Sequence, residues 1–237
     1  MNPTRPRRAM TPGPLYAARE AVIAIIILAA LAAPADGARP QPSGRAPAPV
    51  VAPPAPPVVH DTATNLQMAF GNEVNAKDNY ARAAKKADSE GYPAVARLFR
   101  ACSRAEQVHA DRHVQAIAWT SQAEARAVLD RPAIGTTPEN LRAAIDHETY
   151  EVNQFYPPLI ERARAEHRTM AVRSLTFALS AEREHVGLLT GALEHLGEPA
   201  GNGPLYVCPY CGKTVAVLAF TKCPNCFTAA KKFVRVT

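Results

Sequence analysis

Two short runs carry the most telling chemistry in this chain. In "RAEQVHADRH" Glu106 and His109 stand three residues apart, and in "SAEREHVGLL" Glu182 and His185 repeat that spacing, each pair inside an apolar pattern of helical period. Residues three apart share a helix face, so each pair aims an acid and an imidazole at one place. Three more acids, Glu73, Glu148 and Glu151, sit on further helical stretches. Five carboxylates gathered in a core would repel one another and stay protonated unless cations neutralised them. Two divalent metals supply that charge. A mixed carboxylate and imidazole set suits iron or manganese better than calcium or structural zinc.

A second constellation lies near the C-terminus. "CPYCGKTVAVLAFTKCPNC" sets Cys208 and Cys211 in one short turn and Cys223 and Cys226 in another, two knuckles able to close a tetrahedral four-thiolate site. Iron there would carry electrons; zinc would make a structural ribbon. Disulfides are the competing use of these thiols, but a bridge between cysteines so close in sequence is strained. Cys102 stands apart and reads as core filling.

Periodicity and punctuation place these residues on four helices. The first runs from about Thr62 to Glu90 and stops at Gly91; the second opens at Pro93 and runs to about Ser121. Thr137-Pro138-Glu139 reads as the cap and first turn of the third, which runs to about Glu166, and the fourth spans about Thr169 to Leu196 before Gly197. "FYPP" at 155–158 interrupts the ladder beside Glu151. "GYPAVARLFRACSRAEQVH" echoes "RTMAVRSLTFALSAEREH", relating the two helix pairs as an internal repeat. The expected fold is an all-α ferritin-like four-helix bundle over 61–198, with a small rubredoxin-like or zinc-ribbon β domain over 204–237.

The N-terminus is of another kind. "RPRR" and Arg19 precede the apolar run "AVIAIIILAALAA", and Ala33-Pro34-Ala35 offers a small-x-small cleavage site. Residues 1–35 therefore read as a signal peptide or a retained membrane anchor, and 36–60, dense in Pro and Ala, as an extended linker. Either reading places the remainder outside the cytoplasmic membrane, periplasmic or anchored facing the periplasm. The formal charge of the 237-residue chain is +6, but Arg5, Arg7, Arg8 and Arg19 against Glu20 account for half of it. The remaining excess excludes a nucleic-acid footprint.

The seven bundle positions, together with "YVCPYCG" and "KCPNC", resemble the rubrerythrins over about Thr62 to Val236. That resemblance implies a di-iron bundle that reduces hydrogen peroxide to water, re-reduced through a rubredoxin-like iron by an electron donor that the chain does not name. It implies that Glu106 and Glu182 bridge the two irons, that Glu148 and His185 hold one and Glu73 the other, and that Glu151 and His109 exchange on the latter. It also places Tyr80 and Tyr156 beside the cluster, where a phenol can hydrogen-bond a carboxylate ligand or bound peroxide. Manganese or a mixed pair is the alternative in the bundle, and zinc in the cysteine site.

Phe227 departs from the family pattern, standing where such knuckles usually carry glycine, at a position that often needs positive φ. His113, one turn after His109, is expected to be a solvated surface residue rather than a base behind the ligands. A homodimer is expected on grounds of distance: a 28-residue helix is about 42 Å long, so the cysteine module would sit far from its own cluster and near a partner's. Two other functions remain open: a ferroxidase or iron-handling protein, and a non-catalytic adaptor with a structural zinc ribbon.

Overall fold

Asp61 caps the first helix by accepting the Thr64 N–H, and Gly91, at φ 82°, turns the chain out of it. The structure is a computed structural model that describes residues 55–121, 123–198 and 203–237. The signal or anchor segment and most of the linker lie outside the described residues. Helix α1 spans Thr62–Ser89 and α2 spans Pro93–Ser121, the two packing as a hairpin. Residues 123–136 form no helix or strand, and α3 follows over Thr137–Tyr150. The cap of α3 is Thr136, one residue earlier than its sequence implied: the Glu139 carboxylate accepts both the Thr136 N–H and its hydroxyl, a reciprocal start to the helix.

The third helix does not run straight through. A π turn over Glu151–Phe155 separates α3 from α4, Tyr156–Ala165, with Pro157 and Pro158 in the first turn of α4. Prolines lack the N–H that an α ladder needs, and the wider turn absorbs the loss. Helix α5, Thr169–Glu194, closes the bundle, and Gly197 follows at φ 90°.

Two apolar clusters fill the bundle. One gathers Ala76, Leu98, Phe99, Leu141 and Leu189; the other gathers Leu66, Ile117, Leu159 and Leu175. Between them on α1, α2, α3 and α5 comes the layer of acids and histidines. The fold is thus two dry half-cores enclosing a polar storey.

The C-terminal module is a three-stranded antiparallel sheet ordered β2-β1-β3, with β1 Leu205–Val207, β2 Thr214–Val215 and β3 Val234–Val236. Leu205 and Val207 belong to the first apolar cluster of the bundle. Burying each such side chain contributes about 1.5–3 kcal/mol, which fixes the module against the helices. Among the described residues, no helix is long and apolar enough to cross a membrane.

Candidate metal centre

Glu73 on α1, Glu106 and His109 on α2, Glu148 on α3, and Glu182 and His185 on α5 are all fully buried or nearly so. Their donor atoms form two overlapping groups: Glu73, Glu106, His109 and Glu182, and Glu106, Glu148, Glu182 and His185. Glu106 and Glu182 belong to both groups, so each could serve two ions at once. His109 Nδ1 lies 2.8 Å from Glu106 Oε2 and 2.9 Å from Glu182 Oε1. His185 Nδ1 lies 2.7 Å from Glu182 Oε2 and 3.5 Å from oxygens of Glu106 and Glu148.

These donors fit metal. Glu73 Oε2, Glu106 Oε1 and Glu148 Oε2 are buried without a hydrogen-bond partner among the described residues. Polar atoms left so cost roughly 1–3 kcal/mol each, a penalty that coordination removes. Without metal the site must hold protons instead. Burial, and next the charge of Glu182, pushes Glu148 up to about 8. Burial and neighbouring carboxylates raise Glu106 and Glu151 well above their ordinary range. Burial alone would raise Glu182 too, but His109 and His185 hold it down to about 2.

The outer nitrogens of both histidines face the cysteine module. His109 Nε2 is 3.3 Å from the Cys211 carbonyl, and His185 Nε2 is 3.2 Å from Thr214 Oγ1, whose hydroxyl donates to the Gly212 carbonyl. Each Nε2–H therefore donates outward and leaves Nδ1 free to coordinate. Gly212 adopts φ 76°, and a Cβ there would fall 2.0 Å from His109 Nε2. Any side chain there must displace the His109 ring. Arg112 donates to the Tyr210 carbonyl with its guanidinium over the Tyr210 ring, and Lys213 pairs with Glu184.

In the module, Cys208, Cys211, Cys223 and Cys226 group their sulfurs within ligand range and none is in a disulfide. Cys208 and Cys226 are 3.5 Å apart, Cys211 and Cys223 3.6 Å, spacings suited to one tetrahedral ion.

Comparison with known proteins decides the family. The rubrerythrin family model matches residues 64–193. The chain belongs to the rubrerythrin family. It is 33% identical over 179 residues to rubrerythrin-2 of Clostridium acetobutylicum, covering 73% of this chain and 95% of that one. Nigerythrin of Nitratidesulfovibrio vulgaris is 30% identical, covering 74% and 86%. The structure of fully reduced, all-ferrous nigerythrin superposes with a TM-score of 0.71 at 30% identity, covering 76% of this chain and 88% of that one. The bundle thus carries the family's di-iron carboxylate ligand set, and the module its rubredoxin-like four-cysteine cluster.

Within this rubrerythrin frame the residues around the two ligand groups take the following places. Glu151 lies in the π turn, buried but outside both ligand groups, with Oε1 3.6 Å from His147 Nε2. His109, its expected exchange partner, is among the ligands, which is the arrangement of one of the two states such an exchange would have. His113 is not solvated: it is fully buried, with Nδ1 2.8 Å from Ser174 Oγ and Nε2 3.4 Å from the Tyr156 hydroxyl. Tyr156 in turn donates to Glu73 Oε1, and Tyr80 to Glu148 Oε1. Cys102 is fully buried, with its thiol pushed up to about 12 first by burial. The module sits on its own bundle, so the distance argument for a homodimer falls. Sequence reasoning missed Gly212, Thr214, Ser174 and His147. Only Gly212 had a local signal, as the residue closing a knuckle turn.

Proposed function

We propose that this protein reduces hydrogen peroxide to water at the bundle site, with electrons relayed through its own four-cysteine module. The observation that carries this reading is the contact of Cys211 with His109. One peptide carbonyl joins a thiolate ligand of one site to an imidazole ligand of the other, within one chain.

Glu106 and Glu182 would bridge two irons, with Glu73 and His109 on one and Glu148 and His185 on the other. When bound, that pair supplies the two electrons that cleave the O–O bond. The chain's part is to position, to admit substrate and to hold protons. Two protons must accompany the two electrons, and the Tyr80 and Tyr156 hydroxyls are buried O–H groups already bonded to ligand carboxylates. Behind Tyr156, His113 and Ser174 continue a line of exchangeable protons away from Glu73. A cavity of about 350 Å³ between α1, α3 and the 130–134 segment has Tyr80 and His147 in its wall, and it is large enough for a small polar oxidant.

The test is a single turnover. Iron-loaded protein, chemically reduced and mixed anaerobically with peroxide, should consume one equivalent per bundle and keep its iron. Release of iron on oxidation would mark an iron-handling protein, and a colourless, zinc-filled cysteine site would mark an adaptor. We extend the reading to location: residues 1–35 direct the chain across the cytoplasmic membrane. Intact mass of protein from its native host, together with cell fractionation, tests that.

A further inference from the structure

The module presents its two knuckles in opposite ways. The first, Cys208 to Gly212, faces inward: Cys208 and Cys211 are fully buried, and the carbonyls of Tyr210 and Cys211 are taken by Arg112 and His109 of α2. The second, Cys223 to Thr228, faces solvent. Cys226 is the one cysteine of the four that is only partly buried, and Phe227 beside it is 75% exposed.

Phe227 also holds φ 62°, a left-handed conformation that costs a non-glycine residue about 1–3 kcal/mol. An exposed aromatic ring in a strained backbone gains the fold nothing. The backbone around it sets cations on both flanks: Lys222 pairs with Ala229 across the knuckle, the Ala230 N–H reaches the Thr221 carbonyl, and Lys231 and Lys232 follow in a short 3₁₀ turn. All three lysines are exposed. From Gly203 to Thr237 the cations are Lys213, Lys222, Lys231, Lys232 and Arg235, and no aspartate or glutamate occurs. Lys213 is spent on Glu184 of the bundle. The others have no acid of their own module to meet.

We infer that the second knuckle is the docking surface for a one-electron donor protein with an acidic face, with Phe227 as the apolar anchor and Lys222, Lys231 and Lys232 as its cationic rim. This rests on the relay reading above and names the partner class it requires. A central aromatic ringed by charge is the pattern of a small, transient interface, where the charges set the encounter rate and the ring sets the residence time. At each docking the donor is oxidised by one electron and the four-cysteine site is reduced by one. Two dockings supply what one peroxide consumes, and no atom changes hands.

The experiment titrates the full, zinc-loaded chain with an acidic flavodoxin, so that binding is read without electron transfer. Affinity should fall about tenfold or more between about 50 mM and about 300 mM salt, and by a similar factor in Lys222→Glu/Lys231→Glu/Lys232→Glu. Phe227→Gly should weaken binding about fivefold or more while the module's melting temperature holds or rises, because glycine relieves the left-handed φ. A structural role for Phe227 predicts the reverse pattern. Unchanged affinity in the charge-reversed variant overturns the proposal. So does unchanged affinity in Phe227→Gly, which reduces the face to an unselective polyanion patch. Phosphatidylglycerol vesicles that bind as tightly as flavodoxin, with the same dependence on both variants, assign the face to lipid and also overturn it. The relay reading fails separately: flavodoxin docks as described, but iron-loaded protein reduced by a small viologen consumes no peroxide.

Discussion

The bundle site draws its ligands from α1, α2, α3 and α5, from Glu73 to His185, whereas the module draws all four cysteines from two turns 18 residues apart end to end. Around the first stand two apolar clusters that bury whole leucines and phenylalanines. Around the second stand Phe233 and a few half-buried neighbours on strands of two or three residues. The bundle therefore positions its ligands before any metal arrives and holds buried acids that strain it when none does. The module has too little core to position its thiolates and relies on the ion to do so. One site is a cage awaiting an ion; the other is a fold made by one.

Removing the metals breaks this comparison most severely if it is wrong. Chelation should abolish amide-exchange protection in the module's three strands, while α1, α2 and α5 stay protected. The module's folding energy in such sites is on the order of 10 kcal/mol. Loss of protection in the bundle helices at the same chelator concentration would mean that the bundle too is made by its ions.

Gly212→Ala tests the join between the two regions. The methyl collides with His109 at a backbone conformation that alanine resists, so about 1–3 kcal/mol of module docking should be lost. Exchange protection of Leu205 and Val207 should report it. The bundle should keep its two metals, because His109 loses only an outer partner.

Glu106→Ala and Glu182→Ala sharpen the claim that the acids strain the cage. Each should lose both bundle metals, by elemental analysis; metal-free Glu106→Ala should melt no lower than the parent and be steadier by up to about 2 kcal/mol, whereas metal-free Glu182→Ala should melt lower, because His109 and His185 lose the carboxylate they face. The pH dependence has the same origin. Glu148 sits near 8 in the fold against an ordinary value of 4.5, so its contribution is complete at low pH and is lost as pH rises through about 8. Glu106 and Glu151 act in the same sense, as do His109 and His185, where burial lowers but the surrounding acidic groups raise by more. Glu73 and Glu182 are held low and add stability above about 4.5, which is lost only as pH falls below it. The metal-free melting temperature should therefore fall from about pH 5 to about pH 9, and metal should flatten the curve.

Tyr156→Phe is the mildest change. Losing one hydroxyl on Glu73 should cost about 1 kcal/mol and slow the single turnover without emptying the site, as peroxide consumption and elemental analysis would show.

How much of this was legible follows the same division. Glu106, His109, Glu182 and His185 could be read because a spacing of three on a helix is a local fact, and the cysteines because a knuckle is more local still. The four helices were legible from period and punctuation, down to Gly91 and Gly197. What escaped depends on contacts between distant segments. His113 looked like a surface histidine because nothing near it in sequence announces Ser174 on α5 or Tyr156 on α4. The seat of the module on its own bundle escaped because helix length alone argued for separation. The distance travelled by the chain after α5 did not determine where β1 would pack.

The π turn before Tyr156 has a consequence best put as phase. Glu148 and Tyr156 are eight positions apart, and an unbroken α-helix would set them about 80° from each other around its axis. A π turn carries one residue more than the α turn it replaces, which withdraws about 100° of rotation and brings the two to within about 20°. Carboxylate and phenol then look into the same storey, one toward His185 and the other toward Glu73. Without the extra residue the inward azimuth would belong to position 155, where this chain has phenylalanine, and the hydroxyl would be turned toward the bundle's flank.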